Sequence, residues 1–234
     1  MSYLGMIFLL FTPLALAIDF TSGSNKTTVI ELYTSEGCSS CPPADKWLST
    51  LKQDPALFKD IIPMAFHVDY WDRLGWKDPW AKAAFSNRQR QLTRQDILSQ
   101  VYTPGFVMGS QEWRSRSRTQ DLSKVKPIET GVLSAQLNVD YLVVEYSKKG
   151  DYELNVAYLG MGLVSNVTTG ENRFRKLTHD FVVLEHLKQK GRSIWHIELP
   201  NIPQQGQQQT AISVWLTKPG SLEIEQAASS YIDN

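Results

Sequence analysis

The stretch Thr28-Val29-Ile30-Glu31-Leu32-Tyr33, followed after Thr34-Ser35-Glu36-Gly37 by Cys38-Ser39-Ser40-Cys41-Pro42-Pro43, decides the reading of this chain. The apolar run predicts a buried strand over 28–34, and Glu36-Gly37 a turn. Pro42-Pro43 then opens a helix, because the first helical turn has no use for a backbone N–H donor. Trp47, Leu48 and Leu51 give that helix an apolar stripe. A C-x-x-C at such a turn brings one thiol to a helix N-terminus. There the helix dipole and the unpaired N–H groups favour thiolate over thiol. The second thiol lies within reach of a disulfide, which is the minimal equipment for thiol–disulfide exchange. Cys38 and Cys41 are the chain's two cysteines.

Working outward, Ile61 to Tyr70 reads as a second core strand, with an aromatic, charged loop from Trp71 to Trp76. Asp78-Pro79 looks like an N-cap and first helical residue, and the helix runs to about Leu92. Tyr102-Thr103-Pro104-Gly105 turns into a short strand. Residues 112–118, which include Arg114, Arg116 and Arg118, alternate like a returning strand, and 119–130 reads as a short helix. Residues 19–27 read as loose. Beyond residue 131 the texture changes. Tyr152–Tyr158 and Ile212–Leu216 alternate strictly, and Val139–Tyr146, Phe181–Leu187 and Ser193–Leu199 are further strand-like runs. Turn residues separate them, and no helix intervenes. That pattern suggests an antiparallel β-sandwich over 131–230, following an α/β domain over 28–130. There is no internal repeat.

The 234 residues are 42% hydrophobic and 21% charged, and 24 basic residues balance 24 acidic ones. A neutral chain of globular composition gives no electrostatic reason to expect a nucleic-acid partner. The first 17 residues differ: Leu4–Leu16 is nearly all apolar and ends in Ala15-Leu16-Ala17, a small-residue cleavage pattern. This reads as a secretory leader, with an uncleaved anchor as the alternative. No later segment is apolar for long enough to span a membrane. Export suits the cysteines, because a disulfide persists outside the cytoplasm.

The order strand, C-x-x-C, helix, strand, proline, strand resembles the thioredoxin fold. More narrowly, Glu31 to Asp45 is similar to the signature of a family of uncharacterised, predicted secreted proteins with a thioredoxin-like domain. The stretch Ala65-Phe66-His67-Val68-Asp69-Tyr70-Trp71-Asp72-Arg73-Leu74-Gly75-Trp76 fits the same family. So do Tyr102-Thr103-Pro104, Gly170-Glu171-Asn172 and Leu177-Thr178-His179. The resemblance implies a thioredoxin-like α/β fold, export and redox activity. Cys38 would attack, Cys41 would resolve, and Thr103 with a cis Pro104 would line the substrate groove. Glu31, on the strand before the cysteines, would move protons for the buried thiol. Protein thiols and disulfides are the partners expected, with no cofactor, and the β-rich half would bind the partner or a second copy of the chain.

Two other uses of the pair stay open. A structural disulfide is one, although closing so short a loop is worth only roughly 2 kcal/mol. The other is metal: His67 and Asp69, two apart on a strand, could join Cys38 and Cys41 in a copper or zinc site. His179, His186 and His196 read as ordinary histidines of the β half.

Overall fold

The computed structural model describes residues 17–114 and 127–232. The leader expected over 1–17 lies outside them apart from Ala17, as do Arg116, Arg118 and residues 119–126 of the expected helix. The chain opens with β1 (Ile18–Thr21) and β2 (Thr28–Thr34), then α1 (Pro42–Thr50), β3 (Ile61–His67), α2 (Ala83–Arg94), β4 (Gly105–Met108) and β5 (Gln111–Glu112). It continues with β6 (Leu133–Leu137), β7 (Tyr141–Tyr146), β8 (Tyr152–Met161), β9 (Leu163–Asn166) and β10 (Lys176–His179). The last strands are β11 (Val182–Gly191), β12 (Ile194–Glu198), β13 (Gln209–Thr217) and β14 (Ile224–Ile232).

Eight strands form one sheet in the order β14-β13-β8-β11-β3-β2-β4-β5. β2 and β3 run parallel in the register Thr28↔Ile61 to Thr34↔His67. Every residue of both is buried, as expected of parallel strands covered on both faces. β11 joins the other side of β3, also in parallel, through the pair Val182↔Ala65 and the bond from Ala65 N to Phe181 O at 2.8 Å. A second, antiparallel sheet has the order β1-β6-β7-β12. Its alternate residues Leu142, Val144, Trp195 and Ile197 are buried. It meets the large sheet where the Tyr146 and Tyr152 rings lie 5.2 Å apart. β9 and β10 form a separate two-stranded hairpin.

This overturns the expected fold class. The chain does not build a thioredoxin-like α/β domain followed by an antiparallel sandwich. Strand dominates the molecule, α1 and α2 are the α-helices among the described residues, and one mixed sheet draws strands from both halves. Local periodicity identifies strands but carries no information on which edge each one joins, and Phe181-Val182 docking on Ala65 settles that here. Although Tyr152–Tyr158 alternates in sequence, both faces of β8 are covered. Residues 19–21, the start of the stretch 19–27 read as loose, belong to strand β1, which pairs with β6. The helix expected from Asp78 begins only at Ala83. Asp78 caps a turn instead, its Oδ1 accepting from Trp80 N at 3.0 Å.

Helix α2 lies on the face of the large sheet that carries Glu31, Tyr33 and Phe66. Its buried residues Phe85, Arg88, Gln89 and Leu92 follow helical spacing, so the chain delivers a guanidinium to the interior. Arg88 donates to both carboxylate oxygens of Glu31, at 3.0 and 2.9 Å, and Tyr33 donates to the same group at 2.6 Å. The guanidinium also lies over the rings of Phe66 and Trp215. Removing one partner leaves a buried charge unpaired. Arg88→Ala is therefore expected to cost about 3–5 kcal/mol in urea unfolding, and the double variant Glu31→Leu/Arg88→Met to recover part of that loss.

Candidate functional site

Cys38 and Cys41 lie in the turn between β2 and α1, with Cys41 at the N-cap of the helix. The turn needs Gly37: a Cβ there would come within 2.8 Å of Trp71 Cβ. Cys41 N donates to Cys38 O at 3.2 Å, and Ala44 N to Cys41 O at 2.7 Å. Both cysteines are free thiols, and both are buried. Cys38 Sγ lies 3.2 Å from Ser40 Oγ and 3.9 Å from the carbonyl oxygen of Thr103. The Thr103–Pro104 peptide bond is cis, and Trp71 Nε1 donates to Thr103 Oγ1 at 2.8 Å. The structure thus gathers Cys38, Cys41, Thr103 and Pro104 in one place.

The two thiols differ in acidity. Cys41 donates to the Cys38 sulfur, and this, with Ser40 and Thr103 and against the effect of burial, brings Cys38 down from 9 to about 6. Burial, then the Cys38 sulfur and the Asp45 carboxylate, push Cys41 well above 9. Among the causes of Cys38's acidity the neighbouring thiol is the largest.

Glu31 is not brought to the pair, because its carboxylate is taken up by Arg88 and Tyr33. The acidic groups around the cysteine loop are Glu36 and Asp45. Glu36 is 1% exposed. Its carboxylate accepts from Trp76 Nε1 at 2.8 Å, from Ser165 Oγ, and from His179 Nε2 at 3.0 Å. Its backbone N–H donates to Asp78 Oδ2 at 2.9 Å, and the same oxygen lies 2.7 Å from His67 Nδ1. Asp45 Oδ2 accepts from Thr34 Oγ1 at 3.0 Å, and Asp45 Oδ1 lies 3.9 Å from His179 Nδ1. Burial works against a charge on His179, but Asp45 and Glu36 outweigh it and raise its pKa from 6.5 to about 10. Burial also opposes ionisation of Asp78, and His67 reverses that effect, so its carboxyl titrates below the usual carboxylate range.

The segment after β9 closes over this loop. Asn172 donates through Nδ2 to Glu36 O at 2.8 Å and to Cys38 O at 2.9 Å, and Ser39 N donates to Glu171 at 2.9 Å. None of these side chains was singled out as functional from the sequence. The motifs Gly170-Glu171-Asn172 and Leu177-Thr178-His179 were the signal available. The metal reading changes too. β3 ends at His67, and Asp69 turns away to Ser86 Oγ on α2. Among the described residues, the cluster with metal-ligand spacing is Asp45, His67 and His179, without the cysteines.

Residues 29–217 match the family model described as a protein of unknown function, DUF1223. The chain belongs to this family. No curated protein matches the sequence. Among solved structures, a protein of Agrobacterium tumefaciens is similar, with 21% identity and a TM-score of 0.66 over 88% of this chain and 97% of its own. HBP35 of Porphyromonas gingivalis is similar at 12% identity and a TM-score of 0.55, over 91% of this chain and 77% of its own. At these identities the likeness is one of fold.

Three outcomes are expected for this DUF1223 protein. Asn172→Ala strands the carbonyls of Glu36 and Cys38. Urea unfolding should show a loss of about 1–3 kcal/mol, and alkylation of Cys38 at fixed pH should quicken. The alkylation rate of the reduced wild type should follow the thiolate and be half-maximal near pH 6. Because folding lowers the Cys38 pKa, that thiol contributes stability that grows as pH rises from about 6 toward 9 and is lost as pH falls through 6, whereas His179, raised to about 10, contributes stability that is lost as pH rises from 6.5 toward 10. The Cys41 shift also acts oppositely to that of Cys38, being favourable below 9 and lost only at higher pH. Urea midpoints between pH 5 and 9 test the combination.

Proposed function

We propose that the Cys38–Cys41 pair exchanges electrons with protein thiols and disulfides, after export of the chain. The observation that carries this reading is the asymmetry of the two thiols: Cys38 is ionised near neutral pH, while Cys41 keeps its proton. An attacking thiol must be a thiolate, and a resolving thiol must wait until the first bond has formed. The Thr103 carbonyl beside the Cys38 sulfur supports the reading as well, since it offers an acceptor to an extended peptide bound alongside. Export is supported by the apolar leader ending in Ala15-Leu16-Ala17.

In the reducing direction, the Cys38 thiolate attacks one sulfur of a substrate disulfide. The substrate S–S bond breaks, its other sulfur leaves as a thiolate, and a mixed disulfide forms on Cys38. Cys41 then passes its proton to the released substrate thiolate and attacks the Cys38 sulfur. The second substrate thiolate departs, and two electrons have passed from the pair to the substrate. The oxidising direction is the exact reverse in bonds and electrons. Cys38 is 1% exposed, so a protein substrate must displace the cover over it.

No helix among the described residues is long and apolar enough to cross a membrane.

Equilibration of the pair against glutathione tests the proposal. The expected reduction potential lies between about −120 and −270 mV, the range of working exchange enzymes. Cys38→Ser should abolish exchange, and Cys41→Ser should accumulate the mixed disulfide. Full exchange by Cys38→Ser, or a wild-type potential far below about −300 mV, would sink it.

A further inference from the structure

Beneath the cysteine loop, three side chains are held as metal ligands are held, although nothing in the exchange chemistry uses them in that way. His67, His179 and Asp45 each have one polar atom occupied by a fixed partner. His67 Nδ1 faces Asp78 Oδ2 at 2.7 Å, His179 Nε2 faces Glu36 Oε1 at 3.0 Å, and Asp45 Oδ2 accepts from Thr34 at 3.0 Å. A carboxylate behind an imidazole fixes its ring orientation, and once the opposite nitrogen has given up its proton that nitrogen's lone pair is turned to the metal.

Those opposite nitrogens, His67 Nε2 and His179 Nδ1, are buried and make no hydrogen bond. Each such orphan has given up its hydrogen bonds to water with no partner in return. The histidines are 0% and 2% exposed, and their rings lie 5.0 Å apart. One donor atom from each of the three residues lies within 4.8 Å of the other two. Ligands at about 2.0–2.1 Å from a tetrahedral zinc lie roughly 3.3 Å from one another, so rotations of about an ångström would close the set. A proton on His179 Nδ1 would satisfy that nitrogen through Asp45. It would leave His67 Nε2 with nothing, whereas a cation answers both. The carboxylates Glu36, Asp45 and Asp78 are buried together here, which favours positive charge between them.

We propose that Asp45, His67 and His179 form a buried site for a divalent transition-metal ion, bound through two imidazole nitrogens and one carboxylate oxygen. Two nitrogens and one oxygen suit zinc and its first-row neighbours rather than calcium or magnesium. The site is separate from the thiols and does not depend on their chemistry.

Chelator-treated full-length protein titrated with Zn²⁺ by calorimetry, and with Co²⁺ by absorption, tests this. The expected result is one ion per chain, with visible cobalt d–d bands and no thiolate charge-transfer band. The Cys38→Ser/Cys41→Ser variant should bind identically, which separates this proposal from the fate of the exchange reading. His67→Gln and His179→Gln should show no saturable binding at concentrations that saturate the wild type. Asp78→Asn, which keeps all three ligands, should weaken binding about 10–100-fold. No saturable binding by the wild type, binding that persists in the histidine variants, or binding that disappears with the cysteines would each overturn the proposal. If the histidine variants do not fold, the wild-type cobalt spectrum and its insensitivity to the cysteine substitutions decide.

Discussion

A carboxylate taken out of water must be met by donors from somewhere, and Glu36 obliges much of this molecule to supply them. It stands two residues before Cys38, in a turn whose own backbone is already engaged. Its donors therefore come from distant segments: Trp76 from the loop after β3, Ser165 from β9 and His179 from β10. Leaving such a charge unmet would cost several kcal/mol. The β9–β10 hairpin, which belongs to neither large sheet, sits where this demand puts it. Once there, it also delivers Asn172 and Glu171 to the backbone of the cysteine loop.

The two faces of the large sheet divide the polar work. On the side of α2, Arg88, Glu31 and Tyr33 form a closed set that touches no cysteine, and their service is to the packing of helix on sheet. On the side of α1, Thr34 and His67 end their strands next to each other in register. That registry brings Asp45 and His67 to the same place beneath the cysteine turn. Asp45 thus serves two neighbourhoods, since its field also helps keep the proton on Cys41. The thiol pair and the imidazole–carboxylate cluster are adjacent layers of one buried polar region.

The local unit around the cysteines was legible because its signals are local. Thr28–Thr34 and Ile61–His67 are apolar runs of strand length, Pro42-Pro43 marks a helix start, and Thr103-Pro104 punctuates the approach to β4. The fold class was misread because strand order depends on contacts such as Val182 on Ala65, more than a hundred positions apart, to which no periodicity points. Glu31 was preferred to Glu36 and Asp45 because its place on the strand matched a pattern. The chemistry around a carboxylate depends on what faces it, and what faced Glu31 was Arg88, a residue whose charge suggested solvent. His179 looked ordinary for the same reason. Its partners are 143 and 134 residues away along the chain, counted to Glu36 and Asp45 respectively.

That separation bears on how the molecule comes into being. Asn172 reaches Cys38 across 134 residues, so a chain synthesised from its N-terminus displays both thiols long before their clamp exists. Until β9 and β10 have been made and docked, the turn lacks the hydrogen bonds that Asn172 and Glu171 give it. The loop around the pair therefore receives its clamp only after most of the chain has been synthesised. Nascent or truncated chains that end before residue 163 carry the two cysteines in an unclamped loop, open to whatever oxidant or partner thiol they meet first.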